Sequence, residues 1–265
     1  MDTRNFEREL RRGNYAKNTI LAYKYTIQDY FSRYKSLSKD NLLGYRNGLI
    51  EQFKPQTVNL RIRAINKYLD FIGRKDLRLK GVKLPQNTFL ENVISNDDYL
   101  FFKSMLRKEK DRRWYFIVWT LAATGARISE LIQIKVEHVR SGHFDIYSKG
   151  GKVRRIYFPT RLRKDLIQWV GEESRYLFVN HRGHRLTTRG IAARLKEKAI
   201  IYGMIPEIVH PHSFRHLYAK NFLDRCNDLV LLADLMGHES VDTTRIYLQR
   251  SSREQITLIN RVVDW

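Results

Sequence analysis

The chain is expected to be mainly α-helical with one small β-hairpin, divided into two domains. Three observations carry this expectation. Apolar residues recur at spacings of three and four in segment after segment, the period of helices with one buried face. One stretch, residues 144–158 (FDIYSKGGKVRRIYF), is instead β-rich on both sides of a Gly-Gly pair. A third stretch, residues 81–93 (GVKLPQNTFLENV), carries Gly, Pro and two Asn without periodicity and reads as a linker. It divides a helical domain over residues 1–80 from a mixed domain over 94–252, followed by a tail helix over 253–265.

Composition narrows the class of partner. With 49 basic and 28 acidic residues the 265-residue chain has a net charge of +21. Such an excess points to a polyanion. The charge is densest early: residues 1–88 hold 19 bases and 8 acids. Hydrophobic content of 43% is that of a folded protein rather than a disordered one. The start, MDTRNFERELRR, mixes acids and bases without an apolar core and is not a signal peptide. The longest nearly apolar run, residues 114–123, is too short to span a bilayer and reads as a core helix. A single cysteine, Cys226, excludes an internal disulfide and fits a reducing, cytoplasmic setting.

In chain order, the first strong helix covers residues 17–34, with Ile20, Leu21, Tyr23, Ile27, Tyr30 and Phe31 as its stripe. A second covers 57–72, built on Val58, Leu60, Ile62, Ile65, Leu69 and Phe71. Lys17, Arg61, Arg63 and Lys67 lie on these two helices and are candidates to meet phosphates. An ordinary solvated charged face is the bland alternative. After the linker, Ser95-Asn96-Asp97-Asp98 offers caps for a helix through Met105. The apolar helix over 114–123 breaks at Thr124-Gly125, and Arg127 opens the next one, RISELIQI. An arginine just past a glycine break can point into a cleft, and Glu130, three residues on, can hold its guanidinium. In the hairpin, Lys149 and Lys152 flank Gly150 and Gly151, a pair suited to a two-residue turn. Residues 162–205 suggest two more helices around a short strand at 176–179.

The stretch over residues 210–247 holds the densest chemistry. His212 and Arg215 are followed by His238, twenty-three residues on, and Tyr247, nine after that. Between them Phe214, Leu217, Tyr218 and Phe222 mark one helix, with Pro211 and Ser213 as start signals. A shorter helix over 228–236 starts at an aspartate cap and stops at Gly237, suited to the left-handed position after a helix end. His181 with His184, or His210 and His212 with Cys226, do not form a metal-ligand set of known spacing, so no zinc site is expected.

Taken together, A-T-G-A-R-I-S-E-L, K-G-G-K, H-x-x-R, L-M-G-H and a tyrosine nine residues later resemble the tyrosine recombinases, the phage-integrase and Xer-like site-specific recombinases. The early segments NTILAYKYTIQDYF and TVNLRIRAINKYLDFIG also resemble that family's core-binding domain. The resemblance covers most of the chain and matches the two-domain members, with a helical core-binding domain and a mixed α/β catalytic domain. It implies Arg127, Lys149, His212, Arg215, His238 and Tyr247 as the catalytic set, with no metal or nucleotide cofactor. Tyr247 would be the nucleophile, His212 the base and Lys149 the acid. It further implies double-stranded DNA carrying specific recombination sites as partner, and a homotetramer on two duplexes. Lys152, at the exposed hairpin tip, is expected to be solvated, with a DNA contact as its candidate role. Ile256, Ile259 and Val263 give the tail one apolar face, expected to dock on a neighbouring protomer unless it packs on its own domain. Two alternatives stay open at this point. One is a topoisomerase with the same chemistry on a single duplex; the other is a DNA-binding protein without catalysis.

Overall fold

The structure, a computed structural model, describes residues 3–84, 92–147, 153–171, 174–237, 244 and 252–263. The chain forms two compact units, Met1–Asn87 and Thr88–Trp265. Among the described residues it is helical apart from one two-stranded sheet. The expected mainly α architecture with a small hairpin is what the chain adopts.

The first unit is built from α1 (Thr3–Arg12), α2 (Lys17–Arg33), α3 (Lys39–Gln52) and α4 (Pro55–Phe71). Its core is aromatic-rich. Tyr30 meets Tyr45 edge-on at 5.2 Å, and Phe6 meets Tyr68 at 5.1 Å, the geometry that ring quadrupoles favour. Two of the four helices, α1 and α3, have no counterpart in the sequence reading. Each buries only a narrow stripe, Phe6 and Leu10 in α1 and Leu42, Tyr45 and Leu49 in α3. The hydroxyl of Ser38 caps α3 by accepting from the Asn41 amide.

The expected linker is tied down at both of its described ends. The Asn59 side chain exchanges two hydrogen bonds with the backbone of Val82, at 2.8 and 2.9 Å, fastening residues 81–82 to α4. At the far end the Ile94 amide donates to the Ser213 hydroxyl at 2.6 Å, and the His210 ring meets the Asn92 carbonyl oxygen at 3.1 Å.

The second unit surrounds α6 (Arg113–Thr124), which is apolar on nearly every side and therefore sits inside. Around it lie α5 (Asn96–Lys108), α7 (Ile128–Leu131), α8 (Val136–Ser141), α9 (Thr160–Trp169), α10 (Thr188–Ile201), α11 (Pro211–Cys226) and α12 (Leu229–Met236). Phe102, Ile117, Phe178 and Phe214 are fully enclosed in this core. The helix expected over RISELIQI is only one turn long. The chain then turns, and Lys135 forms an isolated bridge with Tyr176 where a short strand at 176–179 was expected.

Strands β1 (His143–Tyr147) and β2 (Val153–Tyr157) pair antiparallel, His143 opposite Tyr157 and Tyr147 opposite Val153. The expected Gly150–Gly151 turn lies outside the described residues. On β2 the even positions Arg154 and Ile156 are buried and the odd ones exposed, the period-2 signature of a half-buried strand. The final described helix, Ser252–Val262, leaves Ile256, Ile259, Val262 and Val263 exposed.

Candidate active site

The carboxyl end of α12 is where the arginines meet. A helix leaves its last carbonyls without intrahelical donors, and its dipole makes that end partly negative. Here those carbonyls are Met236 and Gly237. Arg215, on α11, donates through Nη2 to the Met236 oxygen at 2.6 Å and through Nη1 to the Gly125 oxygen. Arg154, on β2, donates through Nη1 to the same Met236 oxygen. Arg127 donates through Nη2 to the Gly237 oxygen at 3.2 Å. Residues 110 positions apart in sequence are thereby fixed on one short stretch of backbone.

Among the described residues, Glu130 is the carboxylate that binds Arg127 and Arg154. Glu130 is buried and accepts from Arg127 twice, from the backbone amide at 2.6 Å and from Nη1 at 3.0 Å. It also accepts from Arg154 Nη2 at 2.5 Å. Two guanidiniums, those of Arg127 and Arg154, thus share the Glu130 carboxylate, while Arg215 is held by the Gly125 and Met236 carbonyls. Their exposure is graded. Arg215 is 2% and Arg154 6% exposed, whereas the Arg127 side chain keeps 42% of its surface open. Burial pushes the Arg154 guanidinium below its ordinary pKa; Glu130 opposes that shift and Arg127 reinforces it.

Two glycines make this close approach possible. Gly125 ends α6 at φ +62°, and a Cβ there would lie 2.4 Å from the Tyr218 ring. Gly237 ends α12 at φ +62°, and a Cβ there would lie 2.5 Å from Cδ of Arg154. Both positions need the left-handed backbone that glycine adopts without strain. A side chain at 237 would also displace Arg154, and one at 125 would displace the Tyr218 ring.

His212 stands in the first turn of α11. The ring of His210, one residue before Pro211, caps that helix by accepting from the Ser213 amide at 3.2 Å. Ser213, expected to help start the helix, instead accepts from the Ile94 amide through its hydroxyl. Burial, then the charge of Arg215, holds the His212 ring below the ordinary histidine pKa. Its neutral form, the one that can accept a proton, therefore prevails at neutral pH. Its neighbour His216 is buried, with a ring centroid 6.2 Å away.

The structure therefore brings together Arg127 and Arg215, with His212 in the first turn of the helix that carries Arg215. Lys149, Lys152, His238 and Tyr247 lie outside the described residues, His238 directly after Gly237. The buried member that sequence reasoning did not single out is Arg154. Its signal was strand phase: Arg154 alternates with Ile156 on the inward face, while Arg155 points out and pairs with Asp145 at 2.6 Å.

The candidate DNA contacts of the first unit divide. Lys17 and Arg63 are exposed. Lys67 is half-buried, with its ammonium 5.5 Å from the Tyr15 ring. Arg61 does not fit the expectation. It is 8% exposed, donates to Asp29 at 2.6 Å and lies 4.4 Å from the Phe53 ring centroid, so it serves the unit's interior. The helical period accounts for this: Arg61 lies three residues after Val58 and four before Ile65, both buried.

Among the described residues no helix is long and apolar enough to cross a membrane. The chain is similar to tyrosine recombinase XerA of Pyrococcus furiosus, with 29% identity over 93% of this chain and 88% of the relative. In fold it matches the Tn1549 transposon integrase solved with transposon right end DNA, at a TM-score of 0.72 and 15% identity over 98% of both chains. It likewise matches lambda integrase, solved as a tetramer bound to a Holliday junction, at a TM-score of 0.71 and 15% identity over 90% of this chain and 76% of the other. The sequence pattern of the phage integrase family covers residues 93–254, which span α5 to α12, the hairpin and every arginine of the cluster; the chain belongs to that family, the tyrosine recombinases.

Proposed function

We propose that this chain is a site-specific DNA recombinase that cuts and rejoins strands through a 3′-phosphotyrosine link, without metal or nucleotide. The observation that carries this reading is the arginine cluster on the end of α12, where Arg127, Arg154 and Arg215 all donate to the Met236 and Gly237 carbonyls and Arg127 keeps part of its surface open. A phosphodiester under attack gathers negative charge on its non-bridging oxygens, and preoriented forked donors lower the cost of that charge. Arg127, the exposed member, is placed to meet the phosphate, and Arg215 supports the same point from below.

The remaining roles follow the family resemblance. The Tyr247 oxygen attacks phosphorus while His212 takes the phenolic proton; His238 donates to the crowded phosphate. The bond to the 5′-oxygen breaks, and Lys149 supplies the proton that leaves a 5′-hydroxyl. The covalent link conserves the energy of the phosphodiester, so a 5′-hydroxyl from another strand can reverse the step. Lys17, Arg63, Lys67 and Lys152 are proposed to hold DNA phosphates, giving salt-dependent affinity. The partner is double-stranded DNA with specific sites, held by four copies of the chain on two duplexes. The setting is the cytoplasm, at the nucleoid.

Exchange between sites separates this reading from a single-duplex topoisomerase. A plasmid with two copies of the recognised site should yield recombinant circles with the purified protein. Relaxation of supercoils without recombinant product would favour the topoisomerase, and DNA binding without either product would favour the non-catalytic binder.

A further inference from the structure

Arg154 has a cost that its surroundings must repay. A buried guanidinium is among the most unfavourable groups to remove from water unless each donor is well matched. Its partners here belong to the machinery already described. Nη2 bonds the Glu130 carboxylate, and Nη1 bonds the Met236 carbonyl that also receives Arg215. Its aliphatic stem lies where a side chain on residue 237 would fall. Sitting on β2, it ties the hairpin to α7 and to the end of α12.

We infer that Arg154 is a positioning residue for the phosphate site: it aims Arg127 by occupying Glu130, and it fixes the backbone on which Arg127 and Arg215 are anchored. This role rests on the recombinase reading. Glu130 divides its two oxygens. Oε1 takes the Arg127 guanidinium, and Oε2 takes Arg154 together with the Arg127 amide. Without Arg154, Oε2 is open to a second guanidinium donor. Arg127 can then close a two-bond fork on the carboxylate, the strongest geometry available to that pair. Its donors would turn toward Glu130 and away from the DNA phosphate. Arg154 itself is too enclosed to meet DNA directly, at 6% exposure.

The test uses three variants, a suicide substrate nicked beside the cut, and the intact duplex site. Arg154→Met should slow covalent adduct formation by on the order of a hundredfold, the scale of a displaced reacting group. Affinity for the intact site should be unchanged. Adding Glu130→Gln to Arg154→Met removes the charge that captures Arg127, so the double variant should cleave faster than Arg154→Met alone. Arg154→Lys retains charge but not the fork and should fall between wild type and Arg154→Met; it carries the test should Arg154→Met not fold. A double variant no faster than Arg154→Met, or Arg154→Lys cleaving as wild type, would overturn the inference. So would cleavage that falls only in step with melting temperature and binding, since that marks a purely structural arginine. Wild-type protein that forms no adduct would instead remove the recombinase reading, and this role with it.

Discussion

A guanidinium offers five N–H donors in a rigid fork, and the three at the end of α12 direct theirs differently. Arg215 commits Nη1 and Nη2 to carbonyls and is enclosed; Arg127 bonds Glu130 and Gly237 while part of it faces solvent. Lysine keeps the charge but has no fork. Arg127→Lys and Arg215→Lys should therefore each reduce cleavage by on the order of a hundredfold, as for loss of an oriented transition-state donor, with little change in site affinity. Gel-shift titration and single-turnover cleavage measure the two; equal losses in both would make the arginines mere anchors. Arg61 should behave in the opposite way. Arg61→Ala removes the most buried cation paired with Asp29, which keeps Tyr45 and Arg33, and should cost on the order of 2 kcal/mol in the first unit. Arg63→Ala should leave stability alone and lower the salt slope of DNA binding by about one. Arg127, Arg215 and His212 were legible as motif positions. Arg154 was not, because Arg154 and Arg155 differ only in which side of the strand they face.

At the scale of elements, α11 holds a titratable weakness. Burial, and then the charge of His212, depress the His216 pKa to about 4. The unfolded chain, with histidine near 6.5, takes up that proton first. Stability is thus complete above pH 6.5 and is lost as pH falls from there toward 4. Melting temperature should decline over that window, and His216→Gln should make the decline shallower. It should not abolish it, since His138, His210 and His212 are depressed as well. A decline of equal steepness in the variant would show that His216 contributes nothing. The helices with broad apolar stripes, α2, α4, α6 and α11, were readable from periodicity. The first turn of α11 was less so: both Pro211 and Ser213 are ordinary start signals, and only the fold shows that His210 is the cap.

For the whole molecule, the tail helix decides between a chain that works alone and one that assembles. Packing on its own domain would have buried Ile256, Ile259 and Val263, yet they are 59%, 55% and 42% exposed. An apolar helix face left open on a single chain suits a second copy. Deleting residues after Ser252 should therefore leave melting temperature nearly unchanged while cooperative binding to paired sites and recombination fall. A large loss of thermal stability would show that the tail supports its own domain. The split between the two units, after Asn87, falls in the segment 81–93, where the sequence loses its periodicity. The pinning of that segment by Asn59 and Ser213 was not, since each bond joins residues far apart in sequence.

In the proposed function, DNA cleavage passes through a covalent link to Tyr247, served by the arginines at the end of α12. Tyr247→Phe removes a single oxygen, so folding and site binding should persist. Incubated with a labelled suicide substrate and run on a denaturing gel, the wild-type protein should give a slower-moving protein–DNA band, and Tyr247→Phe should give none. A band of undiminished intensity from the Phe variant would rule out Tyr247 as the nucleophile.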